Sequence, residues 1–132
     1  MKDRLSILAV SVLLLLSALP AGAQNQLYVQ SNAAAVLVDA VQDYESENYQ
    51  NAVDRLLLVK ELDPANDAAS YYLGLCYHYP GQDDEAEKQL SEAVRLDSMN
   101  YWYRDRLAAV YSVNGKMDKA VEIILNLVEI YK

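Results

Sequence analysis

The sequence predicts an all-α fold, a stack of helix hairpins behind an N-terminal export leader. Two observations carry the hairpins. The chain matches itself at an offset of 34 residues, and within each unit apolar residues recur at helical spacing on both sides of a polar break. A third carries the leader: a basic start, an apolar run and a small-residue site come first. Of 132 residues, what remains behind such a leader is one small domain. That length excludes an enzyme with separate cofactor and substrate domains. Hydrophobic residues at 53% against charged residues at 23% are the balance of a chain that folds, not of a disordered tail.

The leader reads from its own chemistry. Lys2 and Arg4 precede the apolar run Leu5 to Leu16, then come Pro20 and Ala21-Gly22-Ala23, so a signal peptide over 1–23 with cleavage before Gln24 is expected. An uncleaved anchor would want ~20 continuous apolar residues, and this run is shorter and ends at Pro20. Gln24 stands where a lipoprotein would carry cysteine. The expected mature protein is exported to the periplasm or cell envelope, without stable membrane insertion. Cys76 is the lone cysteine, so an intramolecular disulfide is excluded, and its apolar helix predicts a buried, inert thiol.

Behind a short linker over 24–32, the repeats occupy 33–132 as units 33–66, 67–100 and 101–132. Ala40, Gly74 and Ala108 superpose, as do Ala52, Ala86 and Ala120. So do Leu56, Leu90 and Ile124, and Val59, Ala93 and Leu127. Small residues allow close helix approach while large ones fill the space between. Pro80-Gly81-Gln82 and Asn114-Gly115-Lys116 supply turns in which glycine takes a left-handed conformation. Asp63-Pro64 closes the second helix of the first unit. The run Asp83, Asp84, Glu85 and Glu87 reads as helix-dipole compensation, since the alternating ligands, glycine and closing glutamate of a calcium loop are missing.

This 34-residue helix-turn-helix period resembles the tetratricopeptide repeat. The second unit carries the pattern as Leu73-Gly74, Tyr77, Gly81, Ala86, Leu90, Ala93 and Leu96. The third keeps it as Leu107-Ala108, Tyr111, Gly115, Ala120, Ile124, Leu127 and Ile130. The first unit departs from it, with Asp39 and Asp43 where the others have leucine and tyrosine. The resemblance implies a right-handed superhelical solenoid whose first helices line a concave, peptide-binding surface.

Residue types exclude more functions than they assign. His78 is the single histidine, and neither a glycine-rich phosphate loop nor a G-x-S-x-G elbow occurs. No catalytic residue, metal or cofactor is therefore expected. The net charge of −8, or −9 once Lys2, Asp3 and Arg4 leave with the leader, repels phosphate backbones, so nucleic acid is not an expected partner. What remains is a non-enzymatic scaffold or adaptor that binds a protein or peptide.

Mapped onto this chain, the concave face implied by the resemblance takes Tyr71, Tyr72, Leu75, His78 and Tyr79 from the second unit, and Trp102, Asp105, Arg106, Ala109 and Val113 from the third. Leu37, Val41 and Tyr44 are the first unit's offering. Eleven tyrosines and one tryptophan with no phenylalanine suit a contact surface, because such rings bury apolar area and keep a polar handle. Aromatic residues at helical spacing serve packing equally well, so Tyr71, Tyr79 and Trp102 stand between groove and core. Tyr77 and Tyr111 are core by repeat position. Repeat proteins that clamp a chaperone's terminal carboxylate use Lys, Asn and Arg at positions held here by Leu37, Val41, Tyr72, Trp102 and Arg106, and Arg106 alone matches. An apolar or aromatic peptide with one acidic group fits better.

The last helix adds an alternative. Val121, Ile124, Leu125, Val128 and Tyr131 leave it apolar on its outer side, where repeat arrays normally end in a polar one. The chain is then a self-associating module and homo-oligomer, or the N-terminal piece of a longer repeat protein, docking through that helix.

Overall fold

The computed structural model describes residues 18–130 together with Val12 and Leu14. The described residues form helices α1 (Ala21–Glu45), α2 (Tyr49–Leu62), α3 (Asp67–His78), α4 (Asp83–Leu96), α5 (Tyr101–Val113) and α6 (Met117–Ile130). The pairs α1/α2, α3/α4 and α5/α6 are the three expected hairpins, and α2 packs on α3 as α4 packs on α5.

The turns repeat with the sequence. Within the hairpins, the N–H groups of Asn48, Gln82 and Lys116 donate to the carbonyls of Asp43, Tyr77 and Tyr111 at 2.8–2.9 Å. This six-to-one bond needs a left-handed residue just past the helix. Gly81 and Gly115 supply it with φ of 78° and 73°, and in the first unit Glu47 is forced into the same conformation at 61°. Between hairpins, Asn66 and Asn100 cap α3 and α5 by accepting from the N–H groups of Ala69 (2.9 Å) and Trp102 (3.1 Å). The amide of each donates to the aspartate three residues earlier, Asp63 or Asp97.

The core follows the repeat. Ala40, Ala52, Leu56 and Val59 from the first unit pack with Ala69, Leu73 and Cys76 from the second, and Ala86 and Leu90 pack with Leu107 and Val110 from the third. Leu56 and Leu90 are 0% exposed, each worth about 1.5–3 kcal/mol of transfer free energy. Gly74 marks the closest helix approach: a Cβ there would lie 2.5 Å from Leu90 Cγ and 3.3 Å from the Ala86 carbonyl oxygen. Cys76 is buried as expected, and burial pushes its thiol up to about 11.

Two first-unit features differ from the sequence reading. The stretch 24–32, expected as a linker, is helical, because α1 runs unbroken from Ala21 over 25 residues and only at Ala33 meets the core. The expected cleavage point thus falls in its first turn. Residues 1–11, 13 and 15–17 of the expected leader lie outside the described residues. The second feature concerns Asp39 and Asp43, which break the repeat pattern without breaking the packing. Arg55 of α2 pairs with both, at 3.1 Å and 2.8 Å, so an ion-paired clasp ties α1 to α2.

The two ends of the stack differ. On α1, Asp39 and Gln42 stand where α3 has Leu73 and Cys76, and the exposed Tyr28 and Val38 share that side, so the first outer face is mixed. On α6, Ile124 is 50% exposed although its counterparts Leu56 and Leu90 are fully covered. Among the described residues, no helix is long and apolar enough to cross a membrane.

Candidate functional site

The first helices of the three units converge on a cavity of about 310 Å³. Tyr44 comes from α1; Tyr71, Tyr72, Leu75, His78 and Tyr79 come from α3; Leu90 comes from α4; and Arg106, Ala109 and Val110 come from α5. Tyr71, Leu75 and Tyr79 share a helix side at four-residue steps, which aims all three at one opening.

A chain of rings fixes the wall. Tyr49 stacks on Tyr79 at 5.0 Å, and Tyr79 and Tyr44 are 6.1 Å apart. Tyr44 meets Tyr72 edge-on at 5.5 Å, and Tyr72 meets Tyr71 edge-on at 5.3 Å. Tyr71 then stacks on Tyr103 at 4.8 Å. Each such pair contributes ~0.5–1.5 kcal/mol beyond its buried area. The belt therefore welds three units into one rigid wall. Burial first, and then the hydrogen bond with Tyr79, holds the Tyr44 phenol well above its ordinary range. Burial and the neighbouring Tyr71 do the same to Tyr72. These hydroxyls stay neutral donors at any physiological pH.

Polar groups sit at the rim. His78 Nδ1 lies 2.7 Å from the Asp83 carboxylate, which ties the imidazole to the first turn of α4. Arg106 is exposed and, among the described residues, has no carboxylate within ion-pair distance. No group of three or more His, Cys, Asp or Glu that could hold a metal occurs among the described residues.

Of the ten residues mapped on the second and third units, seven line this cavity: Tyr71, Tyr72, Leu75, His78, Tyr79, Arg106 and Ala109. Asp105 lines the cleft between α5 and α6 instead, and Val113 at the end of α5 is exposed. Trp102 does not reach the cavity either. It follows the cap Asn100 in the first turn of α5, one turn before Arg106, and stands 62% exposed against the edge of Tyr101. Leu90 and Val110 were missed as lining residues because their repeat positions mark them as core, and they serve as both floor and core. Of the first-unit residues only Tyr44 reaches the cavity, while Leu37 packs against the first core cluster. Tyr77 and Tyr111 pack against the core as read.

On the last helix, Val121, Ile124, Leu125 and Val128 are 46–61% exposed, and Tyr131 lies outside the described residues. A second, more open cleft runs between Tyr101 and Asp105 of α5 and Ile124, Leu127 and Val128 of α6.

Stacked helix hairpins with an open concave side define a helical-repeat solenoid. The second tetratricopeptide-repeat domain of Spaghetti (RPAP3), solved bound to the HSP90 peptide SRMEEVD, matches with a TM-score of 0.75 over 80% of this chain and 96% of its own, at 19% identity. MamA from Desulfovibrio magneticus RS-1 matches with a TM-score of 0.70 over 74% of this chain and 55% of its own, at 23% identity. In sequence, anaphase-promoting complex subunit 3 of Dictyostelium discoideum is 35% identical over 60 residues, 46% of this chain but 6% of that protein. No family model matches the chain. Within the class of solenoids, the 34-residue unit and these likenesses make the chain a tetratricopeptide-repeat fold.

Proposed function

We propose that this chain is a non-enzymatic interaction scaffold of the periplasm or cell envelope, holding a peptide segment of a partner protein in its concave groove. The observation that carries the reading is the tyrosine-walled cavity with Arg106 at its rim. Leu75, Leu90 and Val110 offer an apolar floor, and Tyr44, Tyr71, Tyr72 and Tyr79 offer ring faces and edges. A guanidinium beside such a floor selects a segment with an aromatic or aliphatic side chain and one carboxylate. The RPAP3 domain was solved with an acidic peptide, and its likeness supports the groove as the binding face. Arg106 alone among the clamp positions keeps a basic residue, which supports a more apolar ligand here. The envelope location rests on the leader chemistry of Lys2, Arg4, Leu5 to Leu16 and Ala21-Gly22-Ala23.

Peptide display against the full chain, run beside Arg106→Glu, tests the reading. Enriched peptides should carry a large apolar residue near an acidic one and lose tenfold or more in affinity on the variant, with helicity unchanged. Equal enrichment on both proteins would sink the proposal. N-terminal sequencing of the exported product should begin at Gln24, and an intact leader in the cytosol would remove the envelope location.

A further inference from the structure

The concave side repeats one arrangement, and the second copy of it lacks the rings that fill the first. Between α1 and α3, Tyr44 receives two tyrosines. Tyr72 meets it edge-on at 5.5 Å, while Tyr79 lies 6.1 Å away and is hydrogen-bonded to it. One repeat later, between α3 and α5, His78 takes the place of Tyr44, Arg106 of Tyr72, Ala109 of Leu75 and Val113 of Tyr79. Val113 carries no ring and does not line the cavity, and Ala109 is too short to fill it. The space of about 310 Å³ therefore opens with Tyr71 and His78 on one side and Arg106, Ala109 and Val110 on the other.

His78 sets what this space asks of a ring. Its Nδ1 lies 2.7 Å from the Asp83 carboxylate, and an ionised carboxylate only accepts, so Nδ1 carries the proton. In the neutral imidazole Nε2 then keeps its lone pair. With Nδ1 turned to Asp83, the nitrogen left for the cavity is this acceptor. A phenylalanine or leucine side chain seated against it would strip its water and return no hydrogen bond, whereas a phenol satisfies it. A carboxylate would meet a second acceptor there, so the acidic group of a ligand goes to Arg106.

We propose that the groove recognises a tyrosine of the partner segment, whose hydroxyl donates to His78 Nε2 while a neighbouring carboxylate pairs with Arg106. The ring takes the place that Tyr79 fills one repeat earlier, on Ala109 and Val110. His78 is then the specificity-determining residue, and Asp83 is a positioning residue that holds its tautomer. The inference rests on the groove being the binding face, as proposed above, and names the side chain that reading leaves open.

Random peptides displayed against the full chain should return tyrosine beside an acidic residue. In the selected peptide, phenylalanine in place of that tyrosine should weaken binding about fivefold to tenfold, the share of one hydrogen bond. His78→Phe, a change at a partly exposed side chain, should erase that difference while the phenylalanine peptide still binds. Asp83→Asn should narrow it. In that variant the imidazole nitrogen resonances of His78, the single histidine, should shift toward a protonated Nε2. All are read at about pH 8, where an ordinary imidazole is neutral. Arg106→Glu separates the two readings. If it releases both peptides while wild type binds both equally, the groove stands and the tyrosine proposal falls. If it releases neither, the groove reading falls and takes this one with it. Enrichment of phenylalanine, tryptophan or leucine in place of tyrosine, an undiminished difference on His78→Phe, or no enriched peptide at all would also overturn the proposal.

Discussion

Tyr71 stacks on Tyr103 at 4.8 Å, and the Tyr103 hydroxyl donates to Asp67 at 2.8 Å, so a groove residue of the second unit rests on a buried residue of the third. The groove wall and the inter-unit joint are thus one structure. Tyr103 is 7% exposed, and burial together with Asp67 holds its phenol far above the ordinary value. Tyr103→Phe keeps the ring and strands the Asp67 acceptor. The expected loss is about 1.5–3 kcal/mol, as for a hydrogen bond to a charged group, read as a lower urea midpoint with unchanged slope.

Gly74 reverses the usual effect of glycine within a helix. At a roomy helix position, Gly→Ala gains up to ~1 kcal/mol. Here the new methyl would meet Leu90, which is fully buried and has nowhere to go. Gly74→Ala should cost about 1–3 kcal/mol. Adding Leu90→Ala should cost less in that background than in wild type, and additive losses in the double mutant would refute the close-approach argument.

Glu47 offers the opposite case. It holds φ of 61° where the later units have Gly81 and Gly115, a conformation that costs an ordinary residue ~1–2 kcal/mol. Glu47→Gly should raise stability by about 1 kcal/mol in thermal unfolding. The same substitution at Gln50, inside α2, should lower it by a similar amount.

The Glu87 carboxylate links the second unit to the third, accepting from Lys116 at 2.7 Å and Asn114 at 2.9 Å. The Lys116 contact, helped by Asn114, holds it below the ordinary carboxylate range. A depressed folded value means stability that is present above the unfolded value and lost as pH falls through the folded one. Stability should therefore decline on acidification below about pH 4.3. Glu87→Gln should flatten that decline and cost under about 1 kcal/mol at neutral pH. Chemical denaturation at pH 7 and pH 3 measures both.

Much of this was legible in the chain. Hairpins and small-residue contacts follow from one 34-residue period, because each unit must satisfy the same packing against its neighbours. Seven residues placed on a concave face by that period reached the cavity. Trp102 did not, because spacing gives the side of a helix but not where along its axis a cavity ends. The 24–32 stretch also misled. Asn32 stands in register with the caps Asn66 and Asn100, yet the helix runs through it, a continuity that register along the chain does not reveal.

The sequence by itself determined the repeat, the helical class, the acidic charge and the apolar strip of the last helix, since these depend on residue types and spacing along one chain. Only the tertiary structure decided that Arg55 clasps Asp39 and Asp43 and that six tyrosines from three units join ring to ring. Those are distances between helices, and they emerge when small residues such as Gly74 and Ala86 let the helices close.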